Sequence, residues 1–328
     1  MLQQTQVKTV IPYWERWMEA LPDIKLLARV GPRKLHKLWE GLGYYTRVRN
    51  MQKAAQVILD HHQGVFPQNF PDILALPGIG RYTAGAIASI AFSQPRPILD
   101  GNVIRVLCRL FAVAGDPRAP KTNSALWLLA EELVTSAAQL SNRKGAKHAV
   151  PSFNQSLMEL GALICTPRQP RCEVCPVSKM CVARRENRVE QLPAPKPRPT
   201  VTKRHFVAFI VQNHTQFLIQ QRPAGVVNGH LWEFPNTELN GEKLPPLEMG
   251  RRLLGRNVAA VEPFLSLQHS ITRYRITLDA FKVTTGCLAQ EGENRRWCSL
   301  QQMRRLPFSS AHKKILTALH SRRANHPV

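Results

Sequence analysis

Four cysteines lie within one short stretch of this sequence and limit how the chain can fold. They follow the spacing Cys-x6-Cys-x2-Cys-x5-Cys, with prolines in the loops between them. Four thiolates this close together can bind one metal centre, and both zinc and an iron–sulfur cluster accept four cysteine ligands. Two disulfides are disfavoured because we expect a reducing compartment. The ligands predicted by this spacing are Cys165, Cys172, Cys175 and Cys181.

A second constraint is a glycine-containing turn before an alanine-rich run. Gly78 and Gly80 flank one apolar residue, which lets the backbone turn tightly. The run over 81–92 predicts a helix whose first N–H groups have no partner within the helix. Such N–H groups can bind an anion, and a DNA phosphate is one candidate. The alternative is an ordinary corner between two helices, because a lone Gly-x-Gly is a weak signal.

The charge balance favours a polyanionic partner. Lys and Arg number 45 against 22 Asp and Glu, which gives a formal net charge of +23. Such an excess is typical of nucleic-acid binding. A membrane surface is the rival partner, but no apolar stretch approaches the length of a spanning helix. The alternative is a basic surface that is simply solvated and binds no polyanion. The N-terminus lacks the regions of a signal peptide, so we expect a cytoplasmic, nucleoid-associated protein.

The hydrophobic pattern changes along the chain and predicts two domains. Residues 1–190 show helical spacing and predict an all-α domain, while residues 205–322 show strand-like runs and predict a mixed α+β domain. Residues 191–204 alternate proline with other residues and predict an extended linker, and 323–328 form a tail. Helices are expected over 2–18, 102–111, 126–137, 153–164, 248–254 and 310–320, strands over 206–211, 217–220, 264–267 and 274–283, and a surface loop over 136–152.

Taken together, these motifs resemble the endonuclease III-type DNA glycosylases. In that family the cysteine spacing binds a [4Fe–4S] cluster, and a helix–hairpin–helix, about 70–92 here, precedes an aspartate, here Asp100. Within the family, the segments 1–7, 41–47, 78–85 and 99–105 resemble the adenine DNA glycosylases, which remove adenine mispaired with 8-oxoguanine or guanine. The resemblance implies double-stranded DNA carrying these mispairs as the partner, no membrane, and a monomer.

The resemblance also implies roles for residues near the helix–hairpin–helix. Hydrolysis of an N-glycosidic bond passes through an oxocarbenium-like transition state, and Asp100 would be the anion beside the sugar. Asn102 would assist it. From the residues alone, Asp100 is equally well explained as the N-cap of a helix. Lyase-type relatives carry a lysine where Tyr82 stands, so hydrolysis without strand cleavage is implied.

Base removal requires that the adenine leave the duplex. By resemblance, Tyr44 is a wedge that stacks beside the oxidised guanine, and Glu159 contacts the flipped adenine. Gln4 and its neighbours Leu2 and Thr5 would enter or line the opened duplex. Each residue also has a plainer explanation: packing for Tyr44, a surface charge for Glu159, and an exposed helix position for Gln4.

The C-terminal domain resembles the Nudix-like domain with which the family recognises 8-oxoguanine. A working Nudix hydrolase gathers several glutamates on one helix to hold magnesium, and the segment 248–255 lacks that set. The resemblance therefore implies a domain that binds without hydrolysing nucleotides. In the recognition loop many members carry Phe-Ser-His; here Thr272 keeps a hydroxyl and Arg273 replaces the imidazole.

The family's general acid is a glutamate two positions before the methionine that is Met1 here. We therefore expect these 328 residues to lack that acid and the native product to begin upstream. A catalytically silent iron–sulfur protein that marks mismatches is the alternative function. A zinc-containing scaffold is a further alternative, and it would be colourless.

We predict that the 328-residue chain binds mispaired DNA but cleaves adenine much more slowly than a version extended upstream. The physical reason is the missing proton donor for the leaving purine. Excision from an adenine:8-oxoguanine duplex measures this, and equal turnover by the two versions would contradict the expectation.

Overall fold

A computed structural model describes residues 1–2, 5–144, 148–194, 200–239, 244–271, 273–285, 292 and 294–324. The α-helices are α1 Val7–Ala20, α2 Ile24–Arg29, α3 Pro32–Leu38, α4 Tyr45–His61, α5 Phe70–Ala75, α6 Arg81–Phe92, α7 Gly101–Leu110, α8 Pro120–Lys144, α9 Ala149–Glu159, α10 Val182–Arg185, α11 Pro246–Leu254, α12 Leu300–Arg304 and α13 Ser310–Ala324. The strands are β1 Thr202–Asn213, β2 Gln216–Gln221, β3 Trp232–Glu233, β4 Asn236–Glu238, β5 Val258–Ile271, β6 Tyr274–Thr285 and β7 Arg295–Ser299.

Backbone contacts divide the chain into two compact units, one of which is Lys53–Arg198. It is helical, and α7 lies at the centre of its main core. One face of α7 is strongly apolar, and Val103 and Leu107 are completely buried there. The core around them includes Ile98 before α7 and Leu126 of α8. A smaller core of Ile73 and alanines joins α5 to α6.

The other unit joins Met1–Gln52 to Pro199–Val328. Its described strands form one sheet in the order β3-β2-β1-β6-β5, with β4 paired to β1 and β7 to β2. β1 and β6 run parallel, from Thr202 opposite Tyr274 to Val211 opposite Val283, and the other pairs are antiparallel. Aromatic side chains from β2, the segment after β3 and the segment before α13 fill the core between sheet and α13.

Helices α1 and α3 and the first turns of α4 form another hydrophobic cluster within this unit. Trp17 and Trp39 meet edge to face, and Leu231 is completely buried in the same cluster. Residues 1–52 therefore share a core with a segment far away in the sequence. The domain limits expected from the sequence, with a first domain over 1–190, stay a prediction.

The predicted fold class, an all-α part with a cysteine loop followed by an α+β part, is confirmed. Several predicted boundaries are wrong. α1 begins at Val7 rather than at residue 2, and most of the loop expected over 136–152 is helical, because α8 continues to Lys144 and α9 begins at Ala149. The stretch contains good helix formers, Ala137, Ala138, Gln139 and Leu140, which favour continuation of α8. Strands β3, β4 and β7 were not predicted, since short strands show too little alternation.

Within the described residues, every helix is too short or too polar to cross a bilayer.

We predict a pH-dependent loss of stability that originates at His312. Burial lowers the pKa of His312 from 6.5 to about 4, and its Nδ1 accepts the backbone N–H of Phe234 at 3.1 Å. The unfolded chain protonates this histidine first, so stability is lost as the pH falls from 6.5 towards 4.

Urea denaturation at pH 7 and pH 5 measures this loss. The contribution of His312 between those two values is roughly 2 kcal/mol. His312→Asn keeps an acceptor for Phe234 and should lose that much less stability between them. An identical pH dependence in the variant would show that His312 does not titrate on unfolding.

Candidate active site and metal centre

The predicted helix–hairpin–helix is present as α5, the turn 76–80 and α6. Leu76 is buried and anchors the turn, and Gly78 has a φ of +79°, a conformation that favours glycine. Gly80 is the N-cap of α6 and, lacking a side chain, gives that helix no side-chain cap. The backbone N–H groups at a helix start of this kind can donate hydrogen bonds to a phosphate oxygen.

Tight packing of α6 leads the chain to Asp100. A Cβ on Gly85 would lie 2.2 Å from the carbonyl oxygen of Pro97, so only glycine fits there. The buried Asn154 of α9 donates hydrogen bonds from Nδ2 to Ser89 Oγ at 2.8 Å and to the Arg96 carbonyl at 2.9 Å. The extended segment before α7 is therefore clamped between α6 and α9.

Asp100 is the N-cap of α7. Its Oδ1 accepts the backbone N–H groups of Asn102 at 3.0 Å and Val103 at 2.8 Å, and its Oδ2 accepts Asn102 Nδ2 at 3.2 Å. The side chain is only partly buried. Because a carboxylate offers about four acceptor positions, capping leaves it able to interact with a further group. The two roles considered for Asp100 from the sequence are thus compatible.

Arg105 connects Asn102 to the cysteine loop. Its guanidinium is buried and donates from Nη2 to Asn102 Oδ1 at 2.9 Å and to the Gly161 carbonyl at 2.7 Å. Its Nε donates to the backbone carbonyl of Cys165 at 2.7 Å. Arg105 therefore orients the Asn102 amide, which donates to the Asp100 carboxylate, and links this pair to the first residue of the cysteine loop.

Tyr82 and Glu159 lie near this group. The hydroxyl of Tyr82 lies 3.4 Å from Met158 Sδ, and burial, with a further effect of Asp100, raises the pKa of Tyr82. Glu159 is exposed at the end of α9, directly before the π-helical turn Leu160–Ile164. That turn contains Gly161, so Glu159 and Asn102 belong to one neighbourhood.

The four predicted cysteine ligands line one small cavity of about 30 Å³. All four are free thiols. The buried Arg109 of α7 contacts Cys165 Sγ at 3.4 Å from Nη1, and Cys181 Sγ donates to the Arg109 carbonyl at 3.4 Å. Arg109 also donates to the carbonyls of Thr166, Val189 and Leu192. One arginine thus ties both ends of the loop to the helix that Asp100 caps.

The donor set fits an iron–sulfur cluster. Burial raises the pKa of the Cys172 thiol, and the neighbouring Cys165 thiol raises it further, so a bound cation would relieve this repulsion. In the part of the chain that the structure describes, no three His, Cys, Asp or Glu side chains converge closely enough for one metal ion. Four cysteines that line one cavity are the ligand set of a [4Fe–4S] cluster.

The other predicted DNA-contacting residues lie in the unit that contains residues 1–52 and 199–328. Tyr44 is 52% exposed, has a φ of +48°, and carries the Arg47 guanidinium 4.4 Å above its ring. Leu2 is exposed, Thr5 donates its N–H to the Leu2 carbonyl at 3.3 Å, and Arg273 is exposed beside Tyr274. Gln4 and Thr272 lie outside the described residues.

Sequence analysis missed Arg105, Arg109 and Gly161. The two arginines stand four residues apart in an otherwise apolar run, and such charges on a buried face signal specific partners. Gly161 left no signal, because a close approach between helices depends on tertiary structure.

We predict that Gly161→Ala destabilises the protein. The added Cβ would lie 2.7 Å from Asn102 Cβ and 2.9 Å from the Asn102 carbonyl oxygen, so α7 would have to shift, at a cost of roughly 1–3 kcal/mol. Thermal unfolding measures the loss. Gly101→Ala is the matched control, since a Cβ there meets nothing within 4 Å. An alanine at 161 that is as well tolerated as one at 101 would contradict the packing described.

Three protein-family models match the chain. Their descriptions are HhH-GPD superfamily base excision DNA repair protein over residues 1–132, iron-sulfur binding domain of endonuclease III over residues 165–181, and NUDIX domain over residues 206–318. The cysteine loop is therefore an iron–sulfur loop, and the predicted [4Fe–4S] cofactor is confirmed over the zinc alternative.

Two relatives illustrate the similarity. The adenine DNA glycosylase of Mus musculus is 45% identical over 61% of this chain and 37% of its own length. That of Buchnera aphidicola subsp. Acyrthosiphon pisum is 30% identical over 96% of this chain and 87% of its own length. The match thus spans little more than a third of the mouse relative but most of the bacterial one.

Among solved structures, a thermostable thymine-DNA glycosylase aligns with a TM-score of 0.48 and 28% identity, over 56% of this chain and 80% of the other. The near full-length match to the bacterial relative shows that this chain belongs to the adenine DNA glycosylase family.

Proposed function

We propose that this protein is a DNA glycosylase of base excision repair that hydrolyses the N-glycosidic bond of adenine mispaired with 8-oxoguanine or guanine. It acts as a monomer on double-stranded DNA. Family membership supplies the reaction class. The structural observation that carries the proposal is the partly exposed Asp100 carboxylate at the start of α7, held by Asn102 and Val103.

Asp100 stabilises the positive charge that develops on the sugar. Cleavage of an N-glycosidic bond generates an oxocarbenium-like ring, and a fixed anion beside it lowers the barrier more than a mobile one. The bonds from Asn102 hold the carboxylate in one direction, and Arg105 holds Asn102. The anion is therefore preorganised before the substrate arrives.

Tyr82 makes the reaction hydrolytic only. A lyase needs an amine there that attacks the sugar and forms a Schiff base. A phenol with a raised pKa stays protonated and donates a hydrogen bond instead. The expected product is an abasic site in an unbroken strand.

DNA binding rests on charge and on two exposed elements. The net charge of +23 attracts the phosphate backbone. The backbone N–H groups at the start of α6, beside Gly78 and Gly80, donate hydrogen bonds to one phosphate. Tyr44 stacks beside the base opposite adenine, and Glu159 contacts the flipped adenine. Thr272 and Arg273 in the C-terminal part contact the 8-oxoguanine, while Leu2, Gln4 and Thr5 line the opened duplex.

The four cysteines hold the [4Fe–4S] cluster, which supplies a structural crosslink to the loop. Arg168, Arg171 and Lys179 lie in this loop between the ligands. A loop held rigid presents these charges to the phosphate backbone at a lower entropic cost than a flexible one.

The proposal predicts that Asp100→Asn abolishes excision but preserves binding. Asparagine still caps a helix, so α7 should remain intact. The single-turnover rate on an adenine:8-oxoguanine duplex should fall by at least about 100-fold, since a preorganised charge at the transition state is lost. Asp116→Asn, in an exposed pair with Arg118, is the control and should keep the wild-type rate.

Three outcomes separate the alternatives. Excision by the wild type that disappears in Asp100→Asn supports the glycosylase. Selective binding of the mispair by the wild type with no excision above the spontaneous rate supports the silent mismatch-binding protein instead, because slow excision is still expected of a glycosylase. Strand scission without alkali or heat would contradict the role given to Tyr82.

A further inference from the structure

A buried carboxylate, that of Glu40, joins the first 52 residues to the segment before and within α13. Its side chain is 5% exposed. Oε2 accepts hydrogen bonds from Lys313 Nζ at 2.6 Å and Lys37 Nζ at 2.8 Å, and Oε1 accepts the backbone N–H of Phe308 at 2.9 Å. Lys37 also donates to the Leu306 carbonyl at 3.0 Å. Residues 268 to 273 positions apart in the sequence thus share one ionic cluster.

These hydrogen bonds keep Glu40 charged despite its burial. Burial alone would raise the pKa of the Glu40 carboxyl, but the bonds from Lys313, Lys37 and Phe308 outweigh it, and the net pKa lies below the usual value. A buried ion with partners on both sides is costly to break, because the loss of one partner leaves an uncompensated charge. The cluster therefore acts as a rigid joint.

Glu40 directly precedes the turn 41–44, which ends in Tyr44. The turn has an uncommon backbone: φ is +107° at Gly41, +72° at Gly43 and +48° at Tyr44. A tyrosine in this region is strained and needs support from its surroundings. The backbone carbonyl of Glu40 accepts the Tyr13 hydroxyl at 3.1 Å, and the Gly43 carbonyl accepts Trp39 Nε1 at 2.8 Å.

Space at the turn is also limited. A Cβ on Gly41 would lie 2.3 Å from the Tyr13 hydroxyl oxygen. Tyr13 therefore packs directly against the turn at Gly41. The residue before the turn is held at two places: Tyr13 donates to the Glu40 carbonyl, and two lysines donate to the Glu40 side chain.

We propose that Glu40 is a positioning residue that couples the C-terminal part of the chain to the exposed ring of Tyr44. Through Phe308 and Lys313, this part sets the conformation of the turn 41–44. The discrimination between 8-oxoguanine and guanine opposite adenine then depends on the Glu40 cluster. This inference rests on the proposed function, in which Tyr44 stacks beside that base.

The first test removes charge without changing size. Glu40→Gln keeps an acceptor for Phe308 but presents an amide to two lysines. Lys313→Met removes the partner from the partly exposed side and should leave the fold intact. The matched control is Lys314→Met, the next residue on α13, which is exposed and outside the cluster.

Amide hydrogen exchange in the full-length protein measures the coupling directly. We expect exchange in residues 41–47 to rise at least roughly tenfold in Glu40→Gln and in Lys313→Met, and to stay unchanged in Lys314→Met. A rise at residues 41–47 on substitution at position 313 is an effect that a merely local role of either residue would not produce. Unchanged exchange in a folded Lys313→Met variant overturns the positioning role.

Binding to duplexes with a non-hydrolysable adenine analogue tests the consequence for recognition. The wild-type preference for 8-oxoguanine over guanine opposite the analogue should fall by roughly tenfold in both cluster variants, with affinity for fully paired DNA unchanged. Faster exchange with an unchanged preference overturns the link to recognition. If the wild type itself shows no preference, the proposed function fails, and the exchange measurement alone decides whether Glu40 positions the turn.

Discussion

The guanidinium of Arg105 holds together the part of the molecule where chemistry is proposed. It is buried in a helical core, and its charge is compensated by oxygens from α7, from the π-helical turn and from the first residue of the cysteine loop. A buried cation without such partners would be prohibitively costly. One side chain therefore couples the three segments, and the same part of the structure brings Gly161 close to Asn102.

Arg109, one helical turn later, extends the same arrangement to the far end of the cysteine loop. Its contacts reach Thr166, Val189 and Leu192 as well as two of the thiols. The helix that Asp100 caps is therefore also the helix that holds the cysteine loop in place through Arg109. The position of the carboxylate and the shape of the cavity are two results of one set of hydrogen bonds.

The sequence predicted those parts of the site that local chemistry determines. Cysteine spacing, the turn with Gly78 and Gly80, and Asp100 before a helix are all short-range signals, and each is present where expected. Arg105 and Gly161 depend on contacts between segments about sixty residues apart, and such contacts leave only weak local patterns. The same limit explains the missed strands β3 and β7, which become strands only because they pair with β2.

Boundary errors have a similar origin. The polar stretch after residue 136 shows turn-forming composition, but α8 continues as far as Lys144. The sequence of residues 1–52 predicts the beginning of a helical domain, and these residues do form helices. Their contacts, however, include Leu231 and Phe308. Such distant partners cannot be predicted from the local sequence pattern of residues 1–52.

The joint between Glu40 and residues 306–313 has a consequence for the order in which the chain folds during synthesis. Translation proceeds from the N-terminus, and a domain folds once its contacts have left the ribosome. The unit Lys53–Arg198 is one continuous segment, so it can form its internal contacts as soon as that segment has left the ribosome. The first 52 residues can form their contacts with Phe308 and Lys313 only after those residues have also left the ribosome. Until then Glu40, Trp17 and Trp39 remain without partners from the C-terminal part. Among the described helices, those within residues 1–52 are synthesised before the others but complete their core last, and during that interval they depend most on protection from aggregation.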